Sequence, residues 1–204
     1  MIVLKIGGSL IKEGYEIIEF LEKNLQTSKF GIVVVPGGGP FAETVRRYSN
    51  NISTHSAHFM AILAMNQYGI YLSDGKIKTI ESFDELTDGL SILLPYKVLR
   101  QMDPLNHSWD VTSDTIAAWV AKQLNAKFIK ATDVDGIFIE DKMVESIYAK
   151  DILGIKTCVD KELPSFLIRE KMDCVIVNGR HKSRMLKAIK GENCLGTKLI
   201  GREF

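Results

Sequence analysis

Val3-Leu4-Lys5-Ile6-Gly7-Gly8-Ser9 and Val33-Val34-Val35-Pro36-Gly37-Gly38-Gly39-Pro40 are two apolar runs, each short enough for a buried strand and each followed at once by glycines and a stretch able to start a helix. Strand, glycine turn and helix in that order is how α/β proteins present backbone N–H groups to phosphate. Glycine leaves the backbone bare, so phosphate oxygens can approach without meeting a side chain, and Lys5 adds a mobile positive charge just before the first turn. Either turn alone reads equally well as a tight strand-to-helix connection that binds nothing. The two together point to a polyphosphate handled from two sides, which is what phosphoryl transfer requires. The other common phosphate cradle, Gly-x-x-x-x-Gly-Lys-Ser/Thr, is absent: the stretch from Gly191 to Gly196-Thr197-Lys198 has its last two residues reversed and opens no helix.

Working outward, apolar runs alternate with helical patterns. Strands are expected at Ile2 to Ile6, Gly31 to Val35, Leu90 to Leu94, Lys127 to Ala131 and Asp173 to Val177. Helices are expected near Tyr15 to Asn24, Phe41 to Tyr48, Thr54 to Gln67, Ser113 to Leu124, Leu163 to Lys171 and Ser183 to Ile189. This alternation predicts an α/β fold with a largely parallel sheet covered on both faces, whose ligands collect at the carboxyl ends of the strands. Asp74-Gly75, between Ile70-Tyr71-Leu72 and Lys76-Ile77-Lys78, reads as a hairpin turn and an antiparallel excursion beside the main sheet.

At 204 residues the chain is expected to form a single domain, 1–204. Its formal net charge of +1, with neither sign in long blocks, argues against a nucleic-acid surface or a polybasic membrane patch, so the expected partner is a small molecule. Cys158, Cys174 and Cys194 are isolated and odd in number, without the pairing of a zinc site or a disulfide framework; they read as reduced, mostly buried thiols. No signal-peptide pattern and no bilayer-spanning apolar stretch is present, so a cytoplasmic protein without membrane insertion is expected.

Two further stretches carry chemistry. Trp109-Asp110-Val111-Thr112-Ser113-Asp114-Thr115 is a polar loop entering a helix, with Thr112 or Ser113 as cap and Asp114 in the first turn. Simple capping would account for it, since an acidic residue there stabilises the helix dipole by up to about 1 kcal/mol. That helix leads into Phe128-Ile129-Lys130-Ala131-Thr132-Asp133-Val134-Asp135-Gly136, another strand ending in a polar, glycine-containing turn. Asp133 and Asp135 fit two readings: ligands of Mg²⁺, which prefers carboxylate oxygens, or turn residues whose backbone positions a nucleotide. The second is preferred, with no protein metal ligand expected.

Lys5-Ile6-Gly7-Gly8-Ser9, Pro36-Gly37-Gly38-Gly39, Ser113-Asp114-Thr115, Thr132-Asp133-Val134-Asp135-Gly136 and Gly196-Thr197-Lys198-Leu199-Ile200 occur in the order found in the amino acid kinase family, which the chain resembles along nearly its whole length. Asn106-His107-Ser108-Trp109, Val159-Asp160-Lys161, Leu163-Pro164 and Val177-Asn178-Gly179-Arg180-His181 resemble the branch whose acceptor is an aminomethylfuran phosphate of methanofuran biosynthesis. The resemblance implies a three-layer αβα sandwich and an ATP-dependent, Mg²⁺-assisted kinase that adds the γ-phosphoryl group to a phosphate acceptor, forming a diphosphate, in a homo-oligomer. Alternatives are another phosphate-acceptor kinase of the family, such as isopentenyl phosphate kinase, or an idle nucleotide-binding protein on the same fold.

By the same resemblance Lys5 would neutralise the transferring group and Asp114 would orient Lys5 and keep it charged. Gly7, Gly8 and Ser9 would hold ATP phosphates, with Thr132, Asp133, Asp135 and Gly136 around the nucleotide. Gly37, Gly38 and Gly39 would face the acceptor. Catalysis of this kind rests on positioning and charge, so the lack of a dedicated nucleophile is reasonable. One departure stands out: the family's Gly-Gly-Met-x-x-Lys motif is replaced by Lys156-Thr157-Cys158-Val159-Asp160-Lys161-Glu162, where Lys161 is the nearest candidate for the ATP-side lysine, out of register. His58, which shares a helix face with His55, together with His107 and Arg180, is a candidate donor to the acceptor phosphate; solvated or capping roles fit the same residues.

Overall fold

The computed structural model of the chain describes residues 1–25 and 31–202. Runs of Ile, Val and Leu make β1 (Ile2–Ile6) and β2 (Gly31–Pro36) strands buried on both faces. Further along come β3 (Thr79–Ile80), β4 (Gly89–Leu93), β5 (Lys127–Thr132), β6 (Ile137–Ile139), β7 (Lys142–Val144), β8 (Ser146–Tyr148), β9 (Asp173–Asn178) and β10 (Thr197–Ile200). Eight of these form one sheet in the order β3-β4-β2-β1-β5-β9-β10-β8, while β6 and β7 pair as a separate hairpin. From β3 across to β9 the sheet is parallel; β10 reverses against β9 and carries β8 parallel to itself. The chain leaves β1 toward β2 on one side and later enters β5 on the other, so the carboxyl end of β1 is the switch point where an open α/β sheet leaves a crevice.

Helices α1 (Ile11–Leu25), α2 (Gly39–Tyr48), α3 (Thr54–Ser73), α4 (Tyr96–Met102), α5 (Ser113–Gln123), α6 (Glu162–Glu170) and α7 (Lys182–Lys190) complete three layers, as the αβα expectation requires. Ile17 and Leu21 of α1 and Met185 of α7 pack with Leu4, Ile6 and Val34 on one face of the sheet. Ile116 and Val120 of α5 and Phe166 of α6 pack with Val3, Val33 and Val35 on the other. Helix α3 closes the end of both layers, giving Phe59 and Ile62 to the second cluster and Tyr68 and Leu72 to the first. Strand alternation fixes what matters for the site: Lys5 shares a face with Val3, so it points toward α5.

The hairpin expected at Asp74-Gly75 does not form. Helix α3 runs on through Ile70, Tyr71 and Leu72 to Ser73, and Asp74 closes it in the left-handed conformation (φ 44), its N–H donating to the Ile70 carbonyl. The apolar residues after Gln67 continue the helical period onto the core through Tyr68 and Leu72, and aspartate tolerates the left-handed cap. The antiparallel excursion lies elsewhere, in β6–β7, where Glu140 and Asp141 both take positive φ (47 and 61) as a tight hairpin turn demands.

Candidate active site

The two glycine turns meet backbone to backbone at the carboxyl ends of β1 and β2. A Cβ on Gly8 would lie 2.3 Å from the Gly39 nitrogen, and one on Gly37 would lie 2.5 Å from the Gly8 nitrogen. Part of the glycine signal is therefore a packing requirement. The Gly7 N–H donates to Ala131 O at 2.9 Å and the Gly37 N–H to Ile6 O at 2.8 Å, extending the sheet by one residue on each side. The N–H groups of Gly7, expected to hold ATP phosphates, and of Gly37, expected to face the acceptor, are thus committed to the sheet, whereas Gly8, Ser9, Gly38 and Gly39 line the adjoining cavity.

Beneath the first turn lies a buried charge cluster. Lys5 Nζ is 2.7 Å from Asp114 Oδ1, and Lys130 Nζ is 2.5 Å from Asp114 Oδ2. Lys5 and Lys130 occupy paired register positions on adjacent parallel strands, so both project to the α5 face side by side, and the first turn of α5 delivers Asp114 between them. Lys130 also donates to the Cys158 carbonyl. Burial opposes ionisation of Asp114, but the two ammonium groups outweigh it and hold its carboxyl well below the usual range. Burial likewise lowers Lys5; the attraction of Asp114 opposes this, while the repulsion of Lys130 adds to it. Burial works against Lys130 too, yet Asp114 wins there and raises it. Asp114 thus pairs with Lys5 but only partly offsets the desolvation of its charge.

Lys130 was not a candidate from sequence, and neither was Asp160. The Asp160 carboxylate accepts from Thr112 N (2.8 Å), Thr112 Oγ1 (2.8 Å), Thr115 N (3.1 Å), Thr115 Oγ1 (2.6 Å) and Leu163 N (2.8 Å), capping α5 and α6 together. Its own N–H donates to Asp114 Oδ2 at 3.1 Å, which locks the cluster to both helices. Because Asp160 turns inward, Lys161 turns out: it is exposed and pairs with Asp110 at 2.9 Å. Lys161 does not reach the cluster, and the second lysine beside Lys5 is Lys130.

On the other side of β1 the turn after β5 forms a polar shelf. Asp133 accepts from Ser9 Oγ at 2.9 Å and from Thr132 Oγ1 at 3.3 Å, tying this turn to the first glycine turn. Asp135 is engaged by Asn178 Nδ2 (2.9 Å) and Arg184 (2.6 Å), so it acts as a structural tie rather than an open metal ligand. Gly136 is a glycine for a local reason: a Cβ there would sit 2.4 Å from Thr197 Oγ1. Thr197 in turn accepts from Ile137 N and donates to Val144 O, pinning the β6–β7 hairpin over the shelf. Arg180 pairs with Glu13 at 3.1 Å and its charge bears on Asp133. It does not line the cavity beside the glycine turns that His58 borders, because it follows β9 on the far side of β5.

That cavity, of about 410 Å³, opens between the glycine turns, α2, α3 and the start of α5. Its polar lining includes Ser9, Glu43, Arg46, His58, Thr112 and Ser113. The Arg46 guanidinium lies 4.6 Å over the ring of Trp109, which also borders the cavity. His58 is in the wall; burial, helped by His107, pushes its imidazole down to about 4, so it is neutral at pH 7. His107 stacks behind it at 4.4 Å and is not itself in the lining.

Comparison with known proteins bears on the family and the fold. A model described as the amino acid kinase family matches residues 92–178. The [5-(aminomethyl)furan-3-yl]methyl phosphate kinase of Methanocaldococcus jannaschii is 36% identical to the chain, over 98% of each. A uridylate kinase of Methanobrevibacter smithii is 26% identical over 98% of this chain and 99% of its own. Among solved structures, uridylate kinase from Archaeoglobus fulgidus superposes with a TM-score of 0.72 at 20% identity, covering 98% of this chain and 100% of that one, which is a likeness of fold.

Proposed function

The chain belongs to the amino acid kinase family, and on that premise we propose that it transfers the γ-phosphoryl group of ATP to the phosphate of [5-(aminomethyl)furan-3-yl]methyl phosphate, the substrate in the name of its 36% identical relative. The observation that carries a catalytic reading over an idle nucleotide-binding one is the buried Lys5–Asp114–Lys130 cluster, opening at the glycine turns. Burying two ammonium groups on one carboxylate is costly, and a protein that only bound nucleotide would have no need of it.

In this reading ATP lies on the shelf of Thr132, Asp133 and Gly136, with its terminal phosphates at Gly8 and Ser9. The acceptor enters the cavity, its phosphate reaching Arg46, His58 and the turn at Gly38 and Gly39. The bond from the γ-phosphorus to the β,γ-bridging oxygen breaks, and a bond from that phosphorus to an acceptor phosphate oxygen forms. The acceptor phosphate is already anionic, so no general base is required. Lys5 neutralises charge gathering on the transferring group, and Lys130, deeper in the cluster, holds Asp114 and so positions Lys5. Mg²⁺ would arrive with ATP and screen the charge of its phosphates, and Asp133, a half-exposed carboxylate beside Ser9, is the side chain that would hold it.

A small acceptor matches the cavity volume, with Trp109 available to stack on a furan ring and Glu43 to meet an ammonium group. ADP release measured against a panel of the furan phosphate, UMP, isopentenyl phosphate and acetylglutamate tests the assignment. The furan phosphate is expected to give the highest kcat/KM, and preference for another acceptor overturns it. Arg46→Gln is expected to raise the acceptor KM more than that of ATP.

A further inference from the structure

Behind the cavity wall, where α3 packs on the segment following α4, three histidines and an aspartate come together. His107 Nε2 lies 2.7 Å from Asp103 Oδ1, and His107 Nδ1 lies 3.2 Å from His55 Nδ1. One donor atom each of His58, Asp103 and His107 can be chosen such that all lie within 4.8 Å of one another. We propose that His58, Asp103 and His107 form a binding site for a transition-metal dication of the zinc class, distinct from the magnesium that accompanies ATP.

The donor set selects the ion. Two imidazoles and a carboxylate suit Zn²⁺ and its neighbours, whereas Mg²⁺ and Ca²⁺ take oxygen ligands. Three protein ligands leave the fourth tetrahedral position to water. A tetrahedral ion with bonds of about 2.1 Å sets its ligand atoms roughly 3.4 Å apart. The Asp103–His107 pair, 2.7 Å apart, needs to open by well under an ångström, and His58, now stacked on His107 at 4.4 Å, has to turn out of that stack to present a ring nitrogen to the same ion.

The surroundings are arranged for it. Asp103 caps α4 in the left-handed conformation (φ 41), which turns its carboxylate back toward His107 four residues on. If His107 Nδ1–H donates to His55, the Nε2 lone pair is left facing the Asp103 carboxylate, an arrangement that a cation between them satisfies. His55 then orients a ligand without being one. The neighbouring cation, Arg100, lies over the ring of Phe59 at 4.8 Å.

The test is titration of the metal-stripped full chain with Zn²⁺ and with Co²⁺, without nucleotide or acceptor, followed by calorimetry and visible absorption. One metal per chain is expected, with a tetrahedral Co²⁺ spectrum lacking a thiolate band. His107→Ala and, at the exposed position, Asp103→Asn are each expected to abolish stoichiometric binding, and His55→Phe to weaken it about tenfold or more, with circular dichroism confirming folded chains. Absence of stoichiometric binding by the wild type would overturn the site. So would binding that survives Asp103→Asn unchanged, or a thiolate band tracing the metal to Cys158, Cys174 or Cys194.

Discussion

Asparagine at position 114 keeps the shape of aspartate and removes its charge, which isolates what the charge does. In the wild type that charge lies between two ammonium groups, and the side chains of Lys5, Asp114 and Lys130 are only 7%, 5% and 2% exposed. Asp114→Asn leaves two buried cations without a counter-ion, a loss of about 3–5 kcal/mol when one partner of a buried pair is removed. The folded chain can relieve this by releasing a proton, and Lys5, already lowered by burial, is the group to release it. The unfolded chain holds that proton up to the ordinary value of 10.5. Between the lowered folded value and 10.5 the unfolded state binds more protons, so stability rises with pH by up to about 1.4 kcal/mol per unit. In the wild type the attraction of Asp114 holds the Lys5 value up and so narrows this window, while the raised Lys130 changes the dependence only above 10.5. Denaturant unfolding from pH 7 to pH 9 should therefore show the deficit of Asp114→Asn shrinking as pH rises. Turnover should fall at least 10²–10³-fold, roughly the loss of one preorganised charge contact, because a neutral Lys5 no longer meets the transferring group. Asparagine caps a helix as well as aspartate does, so capping alone predicts neither effect. A variant with wild-type turnover and a stability curve parallel to the wild type would refute the reasoning.

Lys5→Met is expected to fold, to retain weak nucleotide binding by calorimetry, and to lose several kcal/mol of transition-state stabilisation in steady-state kinetics, about 10²-fold or more in kcat. Lys130→Met should lower kcat while leaving the KM values for ATP and acceptor nearly unchanged, since Lys130 acts through Asp114; a rise in either KM with unchanged kcat would contradict that role. Gly8→Ala drives a methyl into the Gly39 backbone, so thermal melting should show a loss of at least about 1–3 kcal/mol together with reduced turnover, and a neutral result would deny the close approach of the two turns. Met60, Leu63, Ile70 and Tyr71 are exposed on α3, and we propose this surface as a self-association interface: the wild type should sediment as an oligomer and Leu63→Asp as a monomer, while a monomeric wild type or an oligomeric variant would contradict it.

Five strands of the central sheet, β1, β2, β4, β5 and β9, and the glycine turns were legible because continuous apolar runs next to glycine have few other readings; β3, β8 and β10 are too short and too polar to show such a run. Asp114 was legible only through its company, since its local sequence is an ordinary helix start. Lys130 escaped because a lysine inside Phe128-Ile129-Lys130-Ala131 looks like an interruption of a strand. The available signal was parity: Lys130 stands two residues before a polar turn, as Lys5 stands two before its glycines, so the two meet on one face. Asp160 could not be found from sequence at all, because its role depends on two helix starts, 112–115 and 162–163, that only folding brings together. Arg180 lies apart from the cavity and Lys161 apart from the buried cluster for the complementary reason: chemistry suited to phosphate says nothing of where a loop lands.

The central claim, that Lys5, Asp114 and Lys130 serve transfer to a phosphate rather than to a carboxylate or an alcohol, is tested most directly by following the reaction with phosphorus NMR. With ATP, Mg²⁺ and [5-(aminomethyl)furan-3-yl]methyl phosphate, the phosphomonoester resonance should give way to the paired resonances of a diphosphate ester in step with ADP formation, and Lys5→Met should abolish both. ADP formation without a new diphosphate resonance, or an acyl phosphate formed from acetylglutamate while the furan phosphate stays intact, would contradict the account.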